Sequence, residues 1–135
     1  MRRILMLLAL LSLAACGARG APAAGGGAEQ VIAAFRAAGL EAEGERAMTQ
    51  ADYGDAPFLC SGTQFSLPSL GEGKVGRVFI CDRREELTSL KTYFNVRGQG
   101  NPELRSWTYS KDLVLVQLDG SMPRETAQKY EAALP

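Results

Sequence analysis

The chain has 135 residues and not one of them is histidine. Without it, neither a Ser-His nor a Cys-His pair can form, and nucleophilic catalysis loses its usual base. Zinc loses its nitrogen ligand as well, and the 3 cysteines stand far apart rather than at C-x-x-C spacing. No Ser-x-x-Lys occurs. Ser110-Lys111 is adjacent in sequence, but a strand sends neighbouring side chains to opposite faces. Charge of one sign is also missing. Lys and Arg number 15, Asp and Glu 15, and no block of like charge is long enough to grip a nucleic-acid backbone. These absences predict no catalytic residue, no metal site, no cofactor and no nucleic-acid partner.

No apolar run reaches the ~20 residues that a membrane-spanning helix needs. The longest lies at residues 4–13, interrupted only by Ser12, preceded by Arg2 and Arg3 and closed by Leu13-Ala14-Ala15-Cys16. A positive start, a short apolar core and small residues before a cut describe a secretory signal. Leu-Ala-Ala-Cys resembles the bacterial lipobox, whose thiol receives a diacylglyceryl group and whose peptide bond is cut just before it. The resemblance implies a signal peptide at residues 1–15, an acyl anchor on Cys16 and a place on the outer face of a bacterial membrane. An ordinary signal peptide followed by a free cysteine is the competing reading. One acyl chain holds a protein marginally and two hold it stably. Gly17 stands where an aspartate would signal inner-membrane retention, which favours the outer membrane in a cell that has two.

Residues 17–27 read GARGAPAAGGG. Nothing there is larger or more apolar than alanine apart from one arginine and one proline, so with Cys16 they make a flexible tether at residues 16–27. Residues 28–135 remain as one small domain. Cleavage before Cys16 would remove Arg2 and Arg3 and leave 13 basic and 15 acidic residues. Cys60 and Cys81 would be the two unmodified thiols in an oxidising compartment, and the expectation is a disulfide between them. It would close a loop of about 20 residues and stabilise by roughly 3 kcal/mol. Two free buried thiols are the alternative.

Residues 28–38 carry Val31, Ile32, Phe35 and Ala38 at helical spacing, and Gly39 sits where a left-handed C-cap belongs, with Leu40 placed to fold back. Residues 41–57 read as irregular, with Glu41, Glu43 and Glu45 in a solvated loop and Asp52 and Asp55 in a turn. Strands are expected at residues 63–67 and 77–81. As a hairpin they would place Phe65, Val78 and Ile80 on one face and Cys60, Phe79 and Cys81 on the other. Asp82 and Glu85 predict an N-cap for a helix striped by Leu87, Leu90 and Phe94, ending at Gly98 or Gly100. Strands at 105–110 and 113–118 flank Lys111-Asp112, a two-residue turn that would pair Tyr109 with Val114 and Trp107 with Val116. Ser121 is placed to cap a last helix with Pro123 in its first turn and Ala127, Tyr130 and Leu134 inward. The fold expected is α+β: helix, two strands, helix, two strands, helix, with a four-stranded antiparallel sheet and helices on one face. IAAFRAAGLE and LKTYFNVRGQ hint at duplication of an αββ unit.

GEGKVG at 71–76 matches G-x-G-x-x-G, but a dinucleotide site needs a helix to start there and a strand is expected. Asp82, Glu85 and Glu86 are close in sequence, and a pair of carboxylates could serve a hydrolase of sugars; helix capping explains the first two more simply. Trp107, Tyr109 and Tyr130 read as core rather than a stacking platform. Two places could bind a ligand or partner. One is a sheet face expected to be open around Phe79, Thr108, Leu115 and Gln117. The other is the glycine-rich loop at 68–76, with Lys74 as its charge.

The segments FSLPSLGEGKVGRVFICD, SWTYSKDLVLVQLDGSMP and AQKYEAAL resemble a group of small bacterial secreted or lipid-anchored proteins. The likeness runs through Phe65 to Gly71, Gly76 to Phe79, Ser106-Trp107, Lys111-Asp112, Val116-Gln117 and Met122-Pro123. It carries no catalytic or binding residue with it, and Cys60 and Cys81 lie outside the pattern. The tether, the small size and the missing residue types together suggest a non-enzymatic binding or accessory module of the cell envelope, held by membrane lipid and able to serve an envelope protein partner. A carboxylate-dependent hydrolase and a purely structural or stress-related envelope protein are the alternatives.

Overall fold

A computed structural model describes residues 27–135; the expected signal peptide, Cys16 and all but the last residue of the expected tether lie outside the described residues. The chain runs α1 (Ala28–Ala37), β1 (Glu43–Ala47), α2 (Gln50–Tyr53), β2 (Ser61–Ser66), β3 (Val75–Ile80), α3 (Arg84–Gly100), β4 (Ser106–Lys111), β5 (Val114–Asp119) and α4 (Arg124–Ala132). The strands form one antiparallel sheet in the order β1-β2-β3-β5-β4. The α+β class and the antiparallel sheet are as expected; the strand count, the element order and the one-sided helix layer are not.

The fifth strand is β1, in the stretch read as irregular. Its sequence EGERA is exposed throughout, so it has no buried face and hence no apolar alternation to reveal it. It exists because β2 offers an open edge, pairing Arg46 with Gln64 and Ala47 with Thr63. Register breaks between Glu43 and Arg46, around Gly44 at φ 58°. A bulge and charged side chains blunt the outer edge against further pairing.

Helices cover both faces. The central strands β3 and β5 are apolar at both parities, and a strand with two apolar faces requires cover on each side. On one side α1 and α4 bury Phe35 and Tyr130 against Phe65, Val78, Val116 and Leu118. On the other α3 buries Leu87, Leu90 and Phe94 against Phe79 and Leu115, beside the Cys60–Cys81 disulfide. With α1 and α3 on opposite faces, the two segments suggestive of duplication play different roles. The division of Phe65, Val78 and Ile80 from Cys60, Phe79 and Cys81 is as expected.

Local signals shifted by a residue or two. The Leu40 N–H donates to the Phe35 carbonyl and Gly39 to Arg36, at 2.9 and 3.0 Å, with Gly39 at φ 74°. This Schellman end is where it was expected. Helix α3, by contrast, is capped at Arg83 rather than Asp82: the Glu86 carboxylate accepts from the Arg83 N–H and guanidinium. The β4–β5 turn is Asp112-Leu113, with Asp112 at φ 52°, so Lys111 pairs with Val114, Tyr109 with Val116 and Trp107 with Leu118. The register moves by two, which preserves every face. Pro123 caps α4; Ser121 is spent on the turn before it, donating to Asp119.

Tyr130 ties the first core together. It is 1% exposed, packs on Phe35 and Phe65, and its hydroxyl donates to the Glu41 carbonyl at 2.7 Å. Burial pushes its pKa up to about 12. A raised phenol leaves stability intact below its ordinary value of 10.0 and erodes it as pH rises from there toward the folded value. Tyr130→Phe should cost about 1 kcal/mol in urea unfolding at pH 7. It should also flatten the alkaline loss; an unchanged alkaline limb would assign that loss to another group.

Candidate groove beside helix α3

One row of paired residues crosses the whole sheet on the α3 side. Arg46 faces Gln64, Gln64 faces Arg77, Arg77 faces Gln117, and Gln117 faces Thr108. Paired residues project to the same face, so the α3 side divides in two. Toward the disulfide it is apolar, with Phe79 and Leu115 under the helix. At this row it turns polar, and the surface opens into a groove bordered by the C-terminal half of α3 and the turn at Pro102–Leu104.

Arg77 is the centre of the groove. Its position in β3 is enforced by Val78 and Phe79, which anchor the strand in both cores. Its Nη1 donates to Gln117 Oε1 at 2.8 Å, and Gln117 Nε2 donates to Ser106 Oγ at 2.8 Å. The Nε of Arg77 is buried and finds no acceptor. Among the described residues no carboxylate forms an ion pair with Arg77. Burial pushes the guanidinium below its ordinary pKa, opposed by the fields of Asp52 and Asp119 and aided by those of Arg97 and Arg46. It still carries its charge at neutral pH.

The two nearby carboxylates are committed elsewhere. Asp52 accepts two bonds from the Arg46 guanidinium at 2.8 Å and one from the Thr49 N–H at 2.6 Å, which hold its pKa well below the carboxylate range. Burial pushes the Asp119 carboxyl up, but bonds from Ser121 and the Lys74 ammonium outweigh it and leave it lowered. Both shifts run the wrong way for a general acid, which must hold its proton near neutral pH.

Two adjoining cavities share Arg77, Phe94 and Arg97. One, of about 220 Å³, is walled by Met48, Tyr53, Phe79 and Phe94; the other, of about 230 Å³, by Arg105, Ser106, Gln117 and Asp119. Arg97 is exposed; its side chain lies over the Tyr93 ring and donates to the Tyr93 hydroxyl at 3.3 Å.

The residues proposed from sequence meet this groove unevenly. Phe79 and Gln117 line it. Leu115 does not reach it, and Phe79, though it backs the smaller cavity, is like Leu115 wholly buried beneath α3. Thr108 is tied to Asn95 of α3 at 2.8 Å. The face read as open is therefore largely covered, because its apolar half required a helix. Lys74 lies in a neighbouring depression and is paired with Asp119 at 3.3 Å. Arg77, Arg97 and Arg105 were passed over, although Arg77 had a signal: it is a charge two residues from Phe79, hence on the same inward parity. Among the described residues no three potential ligands cluster as a metal site, and no helix is long and apolar enough to cross a membrane.

No protein-family model matches the chain, and no match was found among curated proteins or among solved structures.

An uncompensated, partly buried charge works against folding. Arg77→Gln keeps a donor for Gln117 and removes that charge. Its stability without ligand should equal or exceed the parent's by about 1 kcal/mol in denaturant unfolding. A loss larger than about 1 kcal/mol would mean that Arg77 is a structural residue.

Proposed function

We propose that the chain is an extracytoplasmic bacterial lipoprotein, tethered through acylated Cys16, whose domain is a non-enzymatic binding module of the cell envelope. The address rests on Arg2 and Arg3, the short apolar run and Leu13-Ala14-Ala15-Cys16. The Cys60–Cys81 disulfide accords with an oxidising compartment. The binding role is carried by one observation: Arg77 sits half-buried in a groove with no carboxylate partner among the described residues. Natural proteins keep such a charge unpaired where something else is to meet it. The hydrolase reading is the weaker one, since Asp52 and Asp119 are bound by donors and shifted away from acid catalysis.

The anchoring half is checked by fractionation. The full chain should sediment with membranes and release in detergent with the added mass of its acyl chains. Cys16→Ala should lose that mass and keep residues 1–15 uncut. A parent chain with an unmodified thiol at Cys16, or a Cys16→Ala chain still cut before residue 16, would overturn the lipoprotein assignment.

A further inference from the structure

We infer that the free edge of β4 pairs with β4 of a second copy of this chain, the two strands running antiparallel about a two-fold axis at Tyr109 and joining the two sheets into one. The inference goes beyond the binding role proposed above and does not depend on the anchor. Three observations carry it. The first is the edge itself. The Cys81 N–H donates to the Leu113 carbonyl at 3.0 Å, so Leu113, Leu115 and Gln117 turn their backbone groups toward β3 while Val114, Val116 and Leu118 turn theirs toward β4. The ladder of β4 with β5 therefore uses Lys111, Tyr109 and Trp107. Ser106, Thr108 and Ser110 turn their N–H and C=O groups outward, and among the described residues those groups meet no partner. Only the side chains of these three are engaged, with Gln117, Asn95 and Lys91.

The second is the want of protection. The other edge of the sheet, β1, is broken by a bulge and carries Glu43, Glu45 and Arg46. Strand β4 reads SWTYSK. It has no proline and no glycine, its register with β5 is unbroken from Ser106 to Lys111, and its one charge stands at its last position. A regular, unguarded edge rich in β-forming residues is a template for another strand.

The third is charge, which selects the occupant and the register. The outward groups sit on alternate residues, so self-pairing has two registers that use most of the strand. A two-fold at Thr108 sets Lys111 against Arg105 of the second copy, and like charges directly opposite repel. A two-fold at Tyr109 sets Lys111 against Trp107 instead, and Thr108 and Ser110 exchange backbone bonds with Ser110 and Thr108 of the second copy. Helix α4 supports that register. Its exposed residues Arg124, Gln128 and Glu131 lie along one side. Arg124 stands over the Trp107 ring at 5.8 Å, and the field of Glu131 reaches Tyr109, so this side borders β4. Neither Arg124 nor Glu131 is ion-paired among the described residues. The two-fold reverses one α4 against the other and brings each Arg124 end to a Glu131 end. A stripe complementary to its own reverse fits a second copy of this chain.

The test is sedimentation equilibrium of the full chain in density-matched detergent. The parent should dimerise with a Kd on the order of 100 µM or tighter. Ser110→Pro removes an outward N–H and leaves the ladder with β5 whole, since an edge strand tolerates proline there. It should weaken the dimer at least about tenfold, because symmetry counts the lost donor twice. Glu131→Lys changes only an exposed position and should also weaken it, and adding Arg124→Glu should restore it, so the test stands if Ser110→Pro folds poorly. Under oxidation Tyr109→Cys should link two copies across the axis and Thr108→Cys should not, with the parent as control for the native cysteines. A chain that stays monomeric up to about 1 mM would overturn the inference, even if an unrelated extended peptide adds to the same edge. A dimer indifferent to both Ser110→Pro and Glu131→Lys would overturn the edge, and linkage through Thr108→Cys rather than Tyr109→Cys would overturn the register. None of these outcomes bears on Cys16, so this inference and the anchoring assignment fail separately.

Discussion

Strands β3 and β5 are paired along their length, from Gly76 with Leu118 to Ile80 with Val114, and each carries apolar side chains in both directions. A sheet whose middle is apolar on both sides cannot leave either face in water. That constraint calls up two helical layers. Helices α1 and α4 close one side through Val31, Phe35, Ala127 and Tyr130, and α3 closes the other through Leu87, Leu90 and Phe94. The disulfide joins the stretch before β2 to the end of β3 on the α3 side, across a separation of 21 residues. It fixes the apolar end of that layer.

The groove follows from the same constraint meeting its limit. Helix α3 covers the apolar rows, and where the sheet turns to Gln64, Arg77, Gln117 and Thr108 there is no hydrophobic reason for cover to continue. Polar residues in a row across five strands could have satisfied one another. Three of them find neutral or opposite partners just outside the row: Gln117 at Ser106, Arg46 at Asp52 and Thr108 at Asn95. Arg77 is the exception: its one side-chain partner is a neutral amide, and its charge stays unmatched. Local rules that agree everywhere else and fail at one residue mark that residue as serving something other than the fold.

Much of the architecture was legible in the sequence because apolar periodicity records burial. The two-faced hairpin of Phe65, Val78 and Phe79, the stripe of Leu87, Leu90 and Phe94, and the Gly39 helix end each leave a pattern in the residues themselves. Strand β1 left none, since EGERA is exposed on both sides and its conformation is imposed by β2. The second helical layer was legible in principle. LVLVQL is a nearly unbroken apolar run, the mark of a strand covered on both faces. The cap moved from Asp82 to Arg83 because the Glu86 carboxylate accepts from both the Arg83 N–H and its guanidinium. Strand parity had placed Phe79 and Gln117 on the α3 side of the sheet. Arg97 and Arg105 could not be, since they converge with Arg77 only once α3 has crossed the sheet.

The central claim, that Arg77 holds a partly buried and uncompensated charge with its Nε sealed from solvent, is open to direct observation through its own Nε–Hε group. Hydrogen exchange of arginine side chains, followed by nitrogen-15 NMR on the unliganded chain, reads each guanidinium separately. The account predicts one Nε–Hε signal strongly protected from exchange, lost in Arg77→Gln, while those of Arg97 and Arg105 exchange as solvent-exposed groups do. An Arg77 signal that exchanges as fast as theirs would contradict it, because a freely hydrated guanidinium has no unmet need for an anion.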